Sequence, residues 1–324
     1  MSVLIIGGAG YIGSHTVKLF QERGLDVVVL DNLSTGHREL VDVEHFYEGD
    51  CRDSEILSQI FTNHNIDTVV HFAALSLVGV SMTNPYDYYH NNVYGAIILL
   101  GEMVKHNVKN IVFSSTAAVY GEPNNIPIME EDPTFPTNPY GETKLAMEKM
   151  MSWFDTAYGI KYVALRYFNA AGADSSGKIG ELHQPETHLI PLILQVPLGK
   201  RDQISIFGTD YPTDDGTCVR DYIHVNDLAD AHFLAFQYLA KDKTSNTFNL
   251  GNGKGFSVLE VIDTARKVTG HPIPATEEGR RPGDPAVLVA SSQKAEKILG
   301  WKPKLQLEDI ISSAWNFHKN NKIL

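Results

Sequence analysis

The sequence predicts an α/β fold: a doubly wound, mainly parallel sheet followed by a smaller α/β unit. Three observations carry that expectation. Short apolar runs rich in β-branched residues recur, stretches of helical periodicity separate them, and the rhythm breaks in the second half, where prolines crowd. The runs are Val3 to Ile6, Val27 to Leu30, Thr68 to Phe72, Ile111 to Ser114 and Tyr162 to Leu165. Each is predominantly apolar, as strands covered on both faces are. Between the first two, Tyr11 to Arg23 places Ile12, Val17, Leu19 and Phe20 near helical spacing, and Gly24 stops the helix.

After about Gly172 the chain becomes loop-rich, punctuated by Pro185, Pro191, Pro197, Pro212, Pro272, Pro274, Pro282 and Pro285. The expected division is residues 1–172 and 173–324, with later segments free to return to the first unit. In the second part Val225 to Leu239 reads as a helix capped by Asn226 or Asp227, and Leu307 to His318 as a terminal helix.

A length of 324 residues is ample for two domains, and 43% apolar with 20% charged residues is ordinary globular composition. The net charge of −12 argues against a nucleic-acid binder that works by neutralising phosphates. Cys51 and Cys218 stand far apart with no Cys-x-x-Cys spacing, so a disulfide framework is not expected and a reducing cytoplasm fits. The apolar stretches Ala96 to Leu100 and Leu189 to Val196 are too short to span a membrane, and MSVLIIGGAG has no basic segment before its apolar residues. No membrane partner is expected. The 13 histidines form no His-x-x-x-His or cysteine-histidine grouping in sequence, so no metal is expected, and His71, inside a strand, reads as a core residue.

Gly7, Gly10 and Gly13 directly follow the first strand and open the first helix. There Gly7 allows a tight turn, Gly10 lets the backbone approach a pyrophosphate, and the helix start offers unpaired N–H groups to it. This makes the first unit Rossmann-type. The Gly-x-x-Gly-x-x-Gly spacing departs from the standard dinucleotide fingerprint and matches the short-chain dehydrogenase/reductases. Asp31 ends the second strand, where a carboxylate accepts hydrogen bonds from an adenosine ribose and repels a 2′-phosphate; Asn32, Leu33 and Ser34 bring no positive charge. NAD is therefore expected rather than NADP.

Asn138-Pro139-Tyr140-Gly141-Glu142-Thr143-Lys144 reads as a helix start, with Asn138 as cap and Pro139 in the first turn. Tyr140 and Lys144 share a face at i, i+4, where an ammonium group is expected to lower the phenol's pKa and make it a general base. The strand Ile111-Val112-Phe113-Ser114 leads into Ser115 and Thr116. A hydroxyl at that strand end completes a tyrosine, lysine and hydroxyl set; Thr116 takes the place by family alignment, with Ser114 and Ser115 as competitors.

These motifs, with His71-Phe72-Ala73, Asn91-Asn92-Val93, Arg166-Tyr167-Phe168-Asn169, Thr217 to Val225 and Asn249-Leu250-Gly251, run almost end to end. On them the sequence closely resembles the 4-epimerase branch of the extended short-chain dehydrogenase/reductases, which interconvert UDP-galactose and UDP-glucose through a transient 4-keto sugar. The resemblance implies tightly bound NAD, a UDP-hexose substrate and a homodimer. It implies that Tyr140 is the acid/base, that Lys144 tunes it, and that Thr116 bonds the reacting oxygen. It implies cofactor contacts from Gly7, Gly10, Tyr11, Ile12, Gly13, Asp31, Asn32, Ser34, Asp50, Cys51, Phe72, Ala73, Ala74, Ser76, Asn91, Thr116, Tyr140, Lys144 and Phe168. For the nucleotide-sugar it implies Thr116, Tyr140, Asn169, His188, Leu189, Phe207, Arg220, Arg281, Asp284 and Leu288.

Arginines are what an acidic protein needs beside a diphosphate, and Arg220 and the Arg280-Arg281 pair are the candidates, with Arg280 equally readable as a surface side chain. Departures from the family pattern are Thr116 where many members have serine and Ser76 where some have lysine. Leu288 is intermediate in size at a position that limits bulk at C2 of the sugar, so N-acetylated UDP-sugars are an alternative, slower substrate. Ala117 and Ala118 stand where nucleotide-sugar dehydratases and decarboxylases carry an acid. A non-enzymatic dinucleotide sensor would not be expected to keep both Tyr140 and Lys144.

Overall fold

The computed structural model describes residues 2–281 and 284–321; Pro282, among the loop-forming prolines above, lies outside them. Seven strands make one sheet: β1 (Ser2–Ile6), β2 (Asp26–Asp31), β3 (His45–Glu48), β4 (Ile66–His71), β5 (Asn110–Ser114), β6 (Lys161–Tyr167) and β7 (Asn246–Leu250). Their spatial order is β7-β6-β5-β4-β1-β2-β3, with every neighbouring pair parallel. The five predicted runs are all strands of this sheet, and Phe72 falls just past the end of β4. β3 and β7 are additions. Both carry polar residues, so neither reads as a continuous apolar run; in β7 the buried Asn249 accepts a hydrogen bond from the Tyr120 hydroxyl at 2.7 Å.

Alternate strand residues feed opposite layers, because successive side chains on a strand point to opposite faces. Val3, Ile5, Val27, Val29, Val70, Val112, Val163 and Leu165 pack with α1 (Tyr11–Glu22) and α6 (Val225–Asp242). Leu4, Ile6, Val28, Leu30, Val69, Ile111, Phe113 and Ala164 pack with α2 (Ser54–Asn63), α3 (Gly95–Lys105) and α4 (Pro139–Tyr158). A third core joins α5 (Leu189–Gln195), α7 (Val258–Thr269) and α8 (Leu307–Asn320) around the parallel pair Ile204–Phe207 and Ala275–Glu278. The second half of the chain thus supplies both this smaller α/β layer and, through α6 and β7, one edge of the main sheet.

α6 starts at Val225 as expected, but its cap is neither Asn226 nor Asp227. His224 Nδ1 accepts from Asn226 N at 3.1 Å, and the Asp227 carboxylate instead accepts from Lys304 N and Leu305 N, both at 3.0 Å. Asp227 is thereby spent on a distant loop. The terminal helix runs two residues past the expected end, to Asn320.

The chain moves outward from β1 to β2 and β3, then returns to β4 on the other side of β1. The loops after β1 and β4 therefore part, opening a crevice at the carboxyl ends of the strands. Gly7 sits at its mouth with φ +79°, and a Cβ there would lie 2.6 Å from Ala73 N, so the approach of the two loops leaves no room for a side chain on Gly7.

Candidate active site

The crevice widens into a cleft of about 830 Å³, a size usual for small-molecule sites. One wall is the first unit. The glycine turn closes by Gly10 N donating to Gly7 O at 3.2 Å, and α1 begins at Tyr11 with Gly10 as its cap and no side-chain cap. The helix start therefore leaves its N–H groups to the cleft. A Cβ on Gly13 would sit 2.1 Å from Gly7 O, so this approach of helix to turn excludes any side chain.

Asp31 lies at the end of β2, accepting from Ala9 N and Leu33 N, each at 2.8 Å. Burial nonetheless raises its pKa against those bonds. Beyond it Asp50 accepts from Asn32 Nδ2 at 3.0 Å and from Arg52 Nη2 at 2.6 Å, and chiefly the Arg52 bond holds its carboxyl down to about 2. Burial pushes the Cys51 thiol up to about 12, which removes it as a nucleophile. Every residue expected at the cofactor lines this cleft, Ser34, Ser76 and Phe168 included. The bare helix start, the glycine cradle and the Asp31 carboxylate form a donor and acceptor set that fits a dinucleotide.

At the base of the cleft α4 presents Tyr140 and Lys144. Asn138 Oδ1 caps α4 by accepting from Gly141 N at 2.9 Å, and Pro139 occupies its first turn. Of the three candidate hydroxyls, Ser114 is bonded to the Tyr167 hydroxyl and Ser115 donates to Glu148 Oε1 at 2.5 Å. Thr116 Oγ1 accepts from Ala118 N at 3.1 Å and lines the cleft together with Tyr140.

Electrostatics here differ from the expectation that Lys144 lowers the phenol's pKa. Burial pushes Tyr140 up to about 12, against the influence of the Thr116 hydroxyl, and drives Lys144 down to about 7, against the charge of Glu148. Lys144 Nζ lies 6.0 Å from the Tyr140 ring centre and donates to Ser114 O at 2.8 Å. The i, i+4 spacing puts both residues on one face, but enclosure disfavours both charged forms. Glu148, buried behind them, is held by Arg166 through bonds of 3.0 and 2.6 Å. His71 is a core residue, stacked on Phe113 and held at about 3 by burial.

The opposite wall comes from the second half. Asn169, His188, Arg220, Arg281, Asp284 and Leu288 line the cleft; Leu189 and Phe207 do not. Leu189 begins α5, and the Phe207 ring carries the Arg281 guanidinium 4.0 Å above its centre. Arg220 is ion-paired with Asp284. Arg280 turns away, donating to Asp210 Oδ1 at 2.6 Å over the Tyr211 ring. Glu181 and His183, which belong to no motif in the sequence, share this wall; burial opposes the charge on His188, but Glu181 and Glu186 outweigh it and raise that imidazole to about 10.

Comparison with known proteins matches residues 3–251 to the NAD dependent epimerase/dehydratase family. The chain is 62% identical over 322 residues to a UDP-glucose 4-epimerase of Halalkalibacterium halodurans, covering 99% of this chain and 96% of that protein. A crystal structure of a UDP-glucose 4-epimerase superposes with a TM-score of 0.98 at 56% identity, over 100% of this chain and 99% of the other. The Bifidobacterium longum enzyme, crystallised with NAD+ and UDP, superposes at 0.93 with 42% identity, over 99% of both chains. A glycine turn at the sheet's switch point and a tyrosine and lysine at its base thus sit inside a full-length match, and the chain belongs to the NAD dependent epimerase/dehydratase family.

Proposed function

We propose that the protein interconverts UDP-galactose and UDP-glucose at C4, using bound NAD. The observation that carries this reading is Tyr140, Lys144 and Thr116 together in one cleft, between a dinucleotide-fitting wall and a wall bearing Arg220 and Arg281. NAD, when bound, supplies the hydride acceptor and donor at C4, and its positive ring favours the phenolate form of a neighbouring tyrosine. Tyr140 takes the proton of the 4-hydroxyl and returns it, Thr116 bonds the reacting oxygen, and Lys144 lends a proton-tunable charge beside them. Ala117 and Ala118 line the cleft beside Thr116 and bring no carboxyl group for eliminating water.

On the second wall Arg220 and Arg281 meet the diphosphate, with His188 beside them, and Asp284 meets the uridine ribose. Gripping the nucleotide leaves the sugar free to present either face, so binding energy far from C4 serves the chemistry. The test is to incubate purified protein with UDP-galactose without added NAD and follow UDP-glucose. Turnover supports the reading, a keto-deoxy product points to a dehydratase, and inert protein holding a dinucleotide points to a sensor. Leu288, half-buried in the cleft wall, favours slower acceptance of UDP-N-acetylglucosamine; no conversion at high enzyme concentration ends that part.

The working division is NAD on the first 172 residues and UDP-sugar on 173–324. The assembly is a homodimer joined through α3 and α4, on which Ile97, Trp153 and Tyr158 are exposed, Trp153 by 72%. Trp153→Glu is expected to give a monomer by light scattering. Among the described residues no helix is long and apolar enough to cross a membrane. Both cysteines are free and buried, which supports a reducing cytoplasmic setting.

A further inference from the structure

The second wall of the cleft carries a group of side chains that the epimerase chemistry does not use as a set. Glu181, His183, Glu186 and His188 come from one eight-residue stretch leading into α5, and their ligand atoms all lie within 4.8 Å of one another. Glu181 Oε1 is 3.0 Å from His183 Nδ1 and 2.8 Å from His188 Nδ1, and His188 Nδ1 is 3.0 Å from Glu186 Oε1.

Three features distinguish this from a chance meeting of surface charges. Glu181 is buried, so its carboxylate stays only where positive charge or strong donors meet it. Glu186 is held in place by its own backbone, Oε1 accepting from Thr187 N at 2.7 Å and His188 N at 2.8 Å. The His183 ring is flanked by the edge-on Tyr11 ring at 6.3 Å and the His188 ring at 5.2 Å, which limits its rotation.

Two imidazoles and two carboxylates are the donors that zinc-like ions favour, whereas calcium and magnesium take oxygen ligands throughout. Ligands bound tetrahedrally at about 2.0–2.2 Å stand roughly 3.3–3.6 Å apart. The pairs at 2.8 and 3.0 Å need to open by about 0.3–0.8 Å, and separations of up to 4.8 Å need to close by about 1.2–1.5 Å, to reach that spacing. In sequence the pattern is Glu-x-His-x-x-Glu-x-His, which matches no helical His-x-x-x-His spacing because these residues lie in a loop.

We propose that Glu181, His183, Glu186 and His188 bind one divalent transition-metal ion of the zinc class on the second wall of the cleft. Without the metal the same four groups pair as imidazole and carboxylate. This inference does not depend on the UDP-sugar reading, because metal binding is read out directly.

The test uses the full-length protein, stripped with a chelator and titrated with Co2+, whose ligand-field bands report a low-coordinate site with nitrogen and oxygen donors. The expected result is one Co2+ per chain, a visible band that added Zn2+ bleaches, and affinity at least about tenfold weaker in His183→Gln and in Glu181→Gln. Circular dichroism melts identify a variant that has lost its fold, and Glu186→Gln then serves as the further ligand variant. Absence of a stoichiometric band would overturn the proposal. So would equal Co2+ affinity in the wild type and folded variants, which would place the ion elsewhere.

Discussion

The two walls of the cleft are built on different physical principles. The first is made of backbone: a glycine turn with no room for a side chain, a bare helix start and a carboxylate pinned by two N–H groups. The second is made of polar side chains, Arg220, Arg281, Asp284 and His188, brought in by three segments of the second half of the chain. A backbone wall holds its ligand through fixed geometry and is not readily altered. A side-chain wall can rearrange, and the Arg220 to Asp284 pair already shows that its charges satisfy one another. That contrast suits an enzyme that keeps its cofactor and exchanges its substrate.

The largest effect should come at the junction of the walls. Tyr140→Phe removes the proposed proton carrier and leaves the glycine turn intact. Turnover of UDP-galactose should fall by about 10²- to 10⁴-fold, while the NAD content of the purified protein stays at wild-type level. Near-normal turnover would take Tyr140 out of the mechanism, and loss of NAD would show that the walls are not separable.

The next largest effect should fall on the backbone wall alone. Gly13→Ala puts a methyl group 2.1 Å from Gly7 O. Overpacking of this kind costs on the order of 1–3 kcal/mol, so the melting temperature should drop and most bound NAD should be lost. Unchanged NAD content would mean that the turn is softer than its packing indicates.

Legibility from sequence follows the same contrast. The glycines, Asp31 and Asn138 are readable because their partners lie in the same strand-turn-helix unit, where spacing and geometry are linked, and Tyr140 and Lys144 are readable as a pair by their i, i+4 spacing. β7 was missed because its asparagines make it look polar, although Asn249 is buried against Tyr120. The α6 cap was misread because the competition between Asp227 and His224 is decided by Lys304 and Leu305, far along the chain. The phenol's pKa was misjudged for a related reason: spacing puts a lysine near a tyrosine, but only the packed structure reveals that enclosure acts on both. The group of Glu181, His183, Glu186 and His188 has no periodic spacing, and only the fold of its loop brings it together.

On the side-chain wall a milder effect is expected. Arg220→Ala deletes one charged contact proposed for the diphosphate and leaves Asp284 without its partner. A hydrogen bond to a charged group contributes about 1.5–3 kcal/mol, so KM for UDP-galactose should rise roughly 10- to 100-fold with kcat little changed. A fall in kcat at constant KM would place Arg220 with the reacting carbon rather than the nucleotide.

A pH-dependent effect separates burial from function at Lys144. Its pKa in the folded protein is about 7, below the ordinary 10.5, because burial penalises the ammonium form. Between these values the unfolded chain holds a proton that the folded chain has released. Stability from this group therefore rises as pH climbs from 7 toward 10.5, and below 7 the penalty for enclosing the charge is fully present. Lys144→Met removes the titration together with the bond to Ser114 O. In denaturant melts of NAD-free protein, the variant should compare best with the wild type near pH 7 and lose ground steadily toward pH 10. A difference independent of pH would mean that Lys144 stays charged in the folded protein, its ammonium compensated by Glu148, and that the base of the cleft is less dry than its burial implies.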